Sequence, residues 1–553
     1  MTETTADVLI LGAGPVGLTL ANELARRRVK PIIVDKALSI REVSKALILH
    51  VRTQEALSRV GILNQARDEA QPLTEVVVNA YGKFVGSWDL DDIDSPFPHP
   101  LILGQNRTQH LLLEALEKRD VSVAWNSEAV ALEAGTDHAR ATIKGVSSGE
   151  RRIQARYVVG CEGSNSLVRK TAGFSFEGER YTGEQFIQAD CRVRWALPKG
   201  RSYLFLTSVG YLMMIEMPQG VVRIFISLPD GESAGSAEAA SQLGAVESMS
   251  EQPKLEEVAH HLTRLSGFPC ELSDPIWLAR YRTSHRYADR FQTGPLFVAG
   301  DAGHVHVPIG GQGMNTGIQD AFNLGWKLAG VVKGELHETV LESYNAERHP
   351  VAEGLIRGTD FAYRGILHPS EMRQRAARMI GPFLIRNARV HGFMRETLEE
   401  LSIAYPKSAL NLDLDGAKGP APGERMLDAP LVRAADQTTT SIWAEAPTDA
   451  WTLLIFAGTA PDTVRLHDLA TDVWRHYGAR IRPVVITPSA TVPAALAASD
   501  TLLVDVLTRA HDRYGVHGSA CYLLRPDTVV AVRAPIADWD RVNQHLQSIF
   551  TCP

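Results

Sequence analysis

Residues 7–35 read DVLILGAGPVGLTLANELARRRVKPIIVD. The first five residues form a short apolar run, consistent with a buried strand. Gly12, Ala13, Gly14, Pro15, Val16 and Gly17 follow, then a helical stretch over about 18–27. A second apolar run at 31–34 closes on Asp35. Strand, glycine turn, helix and strand stand in the order of a βαβ unit. Gly12 permits the tight turn, Gly14 lets a pyrophosphate approach the backbone, and Gly17 lets helix and strand pack closely. The start of the helix offers unpaired N–H groups and the positive end of its dipole to a phosphate. Asp35, 18 residues beyond Gly17, is placed to accept hydrogen bonds from a ribose diol. The unit predicts dinucleotide binding, and by itself does not separate FAD from NAD.

The rest of the 553-residue chain has ordinary globular composition, with 44% hydrophobic and 22% charged residues. Its length predicts about three to four domains. With 57 basic against 64 acidic residues the net charge is −7. Such a chain exerts no global attraction on nucleic acid or anionic lipid, although a local basic patch remains compatible with it. The five cysteines, Cys161, Cys191, Cys270, Cys521 and Cys552, lie at least 30 residues apart. They form no CxxC pair and no zinc ribbon, and they suit a reducing compartment. Residues 8–20 hold three glycines and a proline and read as strand and turn, not as a signal peptide. No window approaches 18 uninterrupted apolar residues, so no membrane span is expected. A cytoplasmic protein without nucleic-acid or membrane partners is the expectation.

Two later segments separate the nucleotide readings. One runs Tyr157–Val158–Val159–Gly160–Cys161–Glu162–Gly163–Ser164 and continues to Ser166 and Arg169. The other runs Gly294–Pro295–Leu296–Phe297–Val298–Ala299–Gly300–Asp301–Ala302–Gly303–His304 and continues through Pro308–Ile309–Gly310–Gly311–Gln312–Gly313–Met314–Asn315. With Arg52–Thr53–Gln54–Glu55 and Gln105–Asn106–Arg107–Thr108, they stand in a fixed order over about the first 350 residues. In these motifs the chain resembles the single-component FAD-dependent aromatic hydroxylases of the phenol and polyketide hydroxylase type.

The resemblance implies FAD as cofactor, NADPH or NADH as electron donor and O2 as co-substrate. It also implies a small phenolic or polyketide-type aromatic substrate, hydroxylated through a flavin C4a-hydroperoxide, so that the flavin carries the chemistry and no catalytic side chain is identified. By position, the cofactor-binding set is Gly12, Gly14, Pro15, Val16, Gly17, Asp35, Lys36, Arg41, Lys45, Gln105, Val130, Gly300, Asp301, Pro308, Gly311, Gly313, Met314 and Asn315. Asp301 takes the ribityl chain, Gln105 the ribityl or phosphate region, and Val130 an adenine contact. The backbone from Gly311 to Asn315, at the start of a helix over about 314–332, takes the ring, because donors and a dipole there stabilise the negative charge of reduced flavin. The chain departs from the family in two places. Glu162–Gly163 replaces aspartate-glycine, which leaves a nicotinamide role there the less secure part. Lys45–Ala46 replaces arginine-alanine, and lysine meets a phosphate only as a point charge.

Residues 202–206, 211–215 and 221–226 read as consecutive strands separated by turn signals. They predict an antiparallel sheet covering the flavin's reacting edge. Tyr203, Phe205, Tyr211, Met213 and Arg223 are candidate substrate contacts, of which strand alternation sends half to that face. His304 and His306 have no third ligand at a supporting spacing and no GxSxG elbow, so no metal site is expected. Residues 407–423 are rich in Gly, Pro, Asp and Asn and read as a linker. Strands at 451–456, 481–486 and 528–533, with a helix over 461–477, predict a terminal α/β domain. Residues 522–527 resemble the thioredoxin-like domain of the larger aromatic hydroxylases, and Cys521 lacks a CxxC partner.

The expected fold is thus α/β plus α+β. A Rossmann-type FAD-binding domain (1–176, resumed at 281–406) carries an inserted antiparallel-sheet substrate domain (177–280). A linker (407–423) leads to a thioredoxin-like α/β domain (424–553), which could support packing or a homodimer. Baeyer–Villiger oxygen insertion and a non-catalytic flavin-binding protein are the alternatives that the motifs leave open.

Overall fold

The computed structural model describes residues 3–42, 44–145, 149–180, 184–229, 246–248, 252–306, 309–367, 370–416, 418–447, 449–458, 463–488 and 502–551. The chain gathers into two compact units. One comprises residues 1–21, 31–321 and 349–400, the other residues 22–30, 322–348 and 401–553. This division differs from the predicted one: residues 322–348, expected to belong with the flavin domain, cluster with the C-terminal region.

The first unit holds an eight-stranded sheet built on parallel strands. Glu3–Leu11 lies between Ile32–Val34 and Gly149–Gly160, and Leu296–Val298 pairs with the far side of the latter. Residues 8–11 of the run thus form the buried end of a strand, as their apolar composition dictates, while Asp7 before them is exposed. The pairing aligns the carboxyl ends: Leu11 stands opposite both Gly160 and Val34, and Gly160 opposite Val298. One row therefore carries the turns at Gly12, Asp35, Cys161 and Gly300, although nearly three hundred residues of sequence separate the first from the last. A crevice at such carboxyl ends is where open α/β sheets bind ligands.

A second sheet of ten strands stands in the same unit. Its centre is the expected antiparallel series, Ser202–Thr207, Gly210–Glu216 and Val222–Pro229, continued by two strands not foreseen, Glu184–Trp195 and the long Cys270–Ala288. Two strands that the sequence assigned to the flavin domain, Glu75–Ala80 and Lys83–Asp89, extend it through a parallel pairing with Ser202–Thr207. Helix Leu255–Ser266 covers one face, where Val258, Leu262 and Leu265 pack with Ile187, Leu212 and Ile226. The other face is open to the cleft described below.

The second unit is an eight-stranded sheet of mixed direction. Trp451–Phe456, Ile481–Thr487 and Leu502–Val504 run parallel, and Ala520–Leu524 and Val530–Pro535 continue antiparallel. Helices Thr463–Tyr477 and Trp539–Ile549 are amphipathic, with Leu466, Leu469, Val473 and Val542, Leu546, Ile549 buried. The expected helix start at residue 461 lies outside the described residues. The glycine- and proline-rich stretch 407–423 is not a free linker. Leu412–Asp413 adds an edge strand, and Arg533 donates to Asp413 at 3.0 Å and to the Gly419 carbonyl at 3.0 Å. Cys521 is fully buried in its strand, and burial pushes its thiol up to about 12.

In the core of this unit Glu347 accepts hydrogen bonds from Arg525 (2.7 and 2.9 Å), Lys327 (2.8 Å), Asn323 (2.6 Å) and Ser408 (2.6 Å). Burial would raise the carboxyl pKa, but the charges of Arg525 and Lys327 outweigh it and hold Glu347 well below the usual carboxylate range. Among the described residues no helix is long and apolar enough to cross a membrane, and no group of His, Cys, Asp and Glu could hold a metal ion.

Candidate active site

A continuous cleft of about 930 Å³ in the first unit runs from the carboxyl ends of the parallel strands to the open face of the ten-stranded sheet. At the strand end it is lined by Gly12–Val16, Asp35, Lys36, Arg41, Lys45, Gln105 and Asp301. The glycine loop is shaped by contact. A Cβ on Gly12, whose φ is +101°, would lie 2.5 Å from the Cys161 carbonyl oxygen, and one on Gly17 would overlap the Gly12 carbonyl. A Cβ on Gly14 would meet no protein atom, so that backbone faces open cleft.

Asp35 has a second task that the sequence reading did not foresee. Its Oδ2 accepts from the Ala13 N–H at 2.7 Å and its Oδ1 from the Ala37 N–H at 2.7 Å. The carboxylate therefore braces the glycine loop, and each oxygen keeps a lone pair for a ligand. Lys36, Arg41 and Lys45 have exposed side chains at this end, and none forms an ion pair among the described residues. Gln105 opens helix Gln105–Glu117, and its Oε1 accepts from the Ala46 N–H at 3.2 Å.

The Gly300–Asp301 turn is held from behind. Asp320, fully buried, accepts from the Gly300 N–H at 2.9 Å and contacts His304 Nε2 at 2.7 Å through the same Oδ2. Asp301 points into the cleft with no hydrogen-bond partner among the described residues. Burial raises its carboxyl pKa, and His304 and Lys45 pull it back. Arg169 joins the two later motifs by donating to the Ser164 carbonyl at 2.6 Å and to the Ala302 carbonyl at 2.9 Å. Glu162 turns back to cap the short helix Leu167–Thr171: its Oε1 accepts from the Val168 N–H at 3.1 Å. Burial raises its carboxyl pKa.

Several predicted cofactor contacts are placed differently. Val130 is 43% exposed and does not line the cleft, which is reached instead by Ser127, Glu128 and Ala129. Asn315 is fully buried, with its side chain turned to protein. Its Oδ1 accepts from the His50 N–H at 3.0 Å, and its Nδ2 donates to the carbonyls of Ile48 (2.9 Å) and Gly311 (2.7 Å). Gly300 and Gly17 serve packing behind the lining. Gly311, Gly313 and Met314 do line the cleft, and helix Gln312–Val332 begins beside them. Pro308 lies outside the described residues.

At the sheet end, Tyr211, Met213 and Arg223 line the cleft. Tyr203 and Phe205 do not: they pack on the opposite face with Trp195 and Phe268. The hairpin decides this. Its two-residue turn pairs Leu204 with Met213 and Leu206 with Tyr211, and residues directly opposite share a face. Leu204 and Leu206 are therefore the lining residues, joined by Phe225, Trp277 and Tyr281. Arg223 is tied to Asp190 (2.8 and 2.7 Å) and donates to the carbonyls of Ser44 (2.8 Å) and Lys45 (3.1 Å). It is thus a brace between the sheet and the Lys45 loop. The remaining wall comes from His391, Met394, Arg395, Leu398 and Glu399, together with His50. None of these six was legible locally.

These features fit a flavin dinucleotide. The cleft offers an open glycine backbone and cations without ion pairs among the described residues for a diphosphate, a carboxylate that projects into it for a polyol, and an apolar sheet face for a ring. The comparisons with known proteins agree. A model of the FAD binding domain family matches residues 5–359, and the chain belongs to that family. It is 30% identical to 6-methylpretetramide 4-monooxygenase of Streptomyces rimosus over 99% of this chain and 94% of that protein. It is 27% identical to pentachlorophenol 4-monooxygenase of Sphingobium chlorophenolicum over 99% and 97% of the two chains. The solved structure of an anhydrotetracycline hydroxylase from Streptomyces rimosus superposes with a TM-score of 0.77 at 26% identity, covering 100% of both chains.

Proposed function

We propose that this protein is an FAD-dependent, NAD(P)H-consuming monooxygenase that hydroxylates a phenolic or polyketide-type aromatic compound. The observation that carries the reading is the continuity of the cleft: one cavity joins the glycine loop and Asp301 to an aromatic and aliphatic sheet face. When bound, the flavin supplies electron transfer from the nicotinamide and activation of O2. The chain's own residues do the rest. The glycine-loop backbone and helix start take the diphosphate, Lys36, Arg41 and Lys45 balance its charge, and Asp301 accepts from the ribityl hydroxyls. Backbone groups of Gly311, Gly313 and Met314 border the ring.

The substrate end excludes water with Leu204, Leu206, Met213, Phe225 and Trp277, which would suppress wasteful release of peroxide. Tyr281 is oriented there by Gln188. With the Gln188 amide turned so that its oxygen accepts from Arg223 Nε at 3.1 Å, its nitrogen donates to the Tyr281 hydroxyl at 3.0 Å. The tyrosine O–H then points to a substrate oxygen, and burial raises its pKa, so it acts as a donor and not as a base. The C-terminal unit reads as a thioredoxin-like fold without a redox pair: a helix crosses between parallel strands, and an antiparallel hairpin and a terminal helix follow.

The test is purification with bound yellow flavin, then NADPH and NADH consumption against a panel of phenols, naphthols and polyketide quinones under 18O2. One labelled oxygen in a ring hydroxyl supports the reading. Label in an ester or lactone would assign oxygen insertion instead. Retained flavin with no substrate-stimulated consumption would assign a binding protein.

A further inference from the structure

Helices Glu371–Arg386 and Ala388–Leu398 contain no buried residue. The first rests on the outer strand pair of the ten-stranded sheet through Ile385, which packs with Val78, Ala80 and Val85. Its other side is apolar where solvent should favour polar residues. Met372, Met379, Ile380 and Phe383 recur at offsets of 7, 8 and 11, which places them on one stripe. They are 78%, 80%, 52% and 78% exposed. Phe393 and Met394 extend the exposed apolar surface onto the second helix. Eight of the fifteen large hydrophobic side chains exposed among the described residues fall within these 28 positions. A concentration of that kind marks an interaction surface.

The charge of the same segment says what it meets. The chain as a whole carries −7, yet the helix that bears the stripe, Glu371–Arg386, holds four arginines against one glutamate, a local +3; the second helix instead meets the acidic loop 89–94, where Arg395 donates to the Asp91 carbonyl. Arg373, Arg378, Arg386 and Arg389 are exposed and flank the stripe, while Arg375 pairs with Glu371 at 3.7 Å. Interfacial helices combine an apolar face with flanking arginines in this way. A second copy would bring two arginine-flanked stripes together, each on a helix of net +3, and is disfavoured by that repulsion.

We propose that this helix pair docks the protein onto an anionic lipid surface, with the Met–Ile–Phe stripe among acyl chains and the arginines on headgroup phosphates. The same second helix supplies Met394, Arg395 and Leu398 to the cleft wall, so the docked face adjoins the cavity. Docking needs no membrane span and does not depend on the reaction proposed above.

Co-sedimentation of the full-length protein with vesicles tests this. Vesicles of mixed phosphatidylglycerol and phosphatidylcholine are expected to pellet it, and phosphatidylcholine alone is not. Raising the salt should release it. Met379→Glu/Phe383→Glu and, independently, Arg375→Glu/Arg378→Glu should each weaken pelleting by about tenfold or more, because each basic residue near such a surface contributes appreciably. Circular dichroism should be unchanged in both variants. Failure of the wild type to bind anionic vesicles overturns the proposal, as does undiminished binding of both variants. A lipid-independent dimer by light scattering that Met379→Glu/Phe383→Glu turns into monomer also overturns it and assigns the face to a second copy.

Discussion

His50 Nδ1 lies 3.2 Å from Glu399 Oε1, while its Nε2 contacts the Gly310 carbonyl at 2.7 Å. The imidazole thus joins the start of helix Val51–Val60, the glycine turn beside the cleft and the end of the 371–400 segment. Burial alone would lower its pKa. The Glu399 carboxylate, aided by Glu400 and the Gly310 carbonyl, outweighs burial and raises it to about 9. A folded-state value above the unfolded one of about 6.5 means stabilisation that is complete below that pH and is lost as pH climbs through about 9. Thermal melts should therefore show a loss of up to about 3 kcal/mol between pH 6.5 and 9.5 in the wild type. In His50→Gln the curve should be flatter and lower at neutral pH. An unchanged pH profile in the variant would disprove the assignment.

Asp301→Ala should weaken FAD retention by roughly tenfold to a hundredfold, the range for losing hydrogen bonds to a charged group. Asp301→Asn should recover part of that. Flavin fluorescence on titration into apoprotein measures both, and unchanged affinity would remove Asp301 from the ribityl site.

Glu347→Gln should lower stability by about 3–5 kcal/mol, because Lys327 and Arg525 would remain buried with Asp527 as the remaining carboxylate. Denaturant unfolding followed by tryptophan fluorescence checks this; Trp326 lies within the cluster, with the Arg525 guanidinium 5.2 Å from its ring.

Arg223→Lys should not behave conservatively. A lysine cannot span Asp190 and two carbonyls at once. The expected result is a several-fold rise in both the FAD dissociation constant and KM, with Asp190→Asn reproducing part of it. An effect on KM alone would confine Arg223 to the substrate end.

Cys521→Ser buries a hydroxyl in an apolar strand and should cost about 1–3 kcal/mol. Activity per folded molecule should stay within about twofold, and Cys521→Ala should be better tolerated. A large activity loss with intact folding would point to thiol chemistry that the fold gives no reason to expect.

What was legible in the chain was local. The βαβ unit at 7–35, the hairpin at 202–216 and the helix at 312–332 follow from apolar period and turn residues within a short window. The strands at 75–89 escaped because their pairing with 202–207 spans more than a hundred residues and leaves no local period. Alternation alone does not say which half of the strand 202–207 faces the cleft; the two-residue turn at 208–209 sets the parity that pairs Leu204 with Met213 and Leu206 with Tyr211 and leaves Tyr203 and Phe205 on the other face. His50 and Glu399 stand 349 residues apart, and only the folded chain joins them. Asn315 follows the lining residue Met314 in sequence, but its side chain turns to His50, Ile48 and Gly311, a partnership between distant segments that no local pattern carries.

Val16 sits where the glycine loop, the Gly300 turn and helix Gln312–Val332 converge. A Cβ on Gly300 or on Gly317 would come within 2.7 Å of the same methyl, Val16 Cγ2. The three positions therefore form one steric quota shared by distant parts of the chain. Enlarging Gly317 to alanine should be eased when residue 16 shrinks in step, whereas Gly300, at φ +60°, stays reserved for glycine whatever the space beside it, so a drift at 317 obliges a reply at 16 while 300 has no such partner.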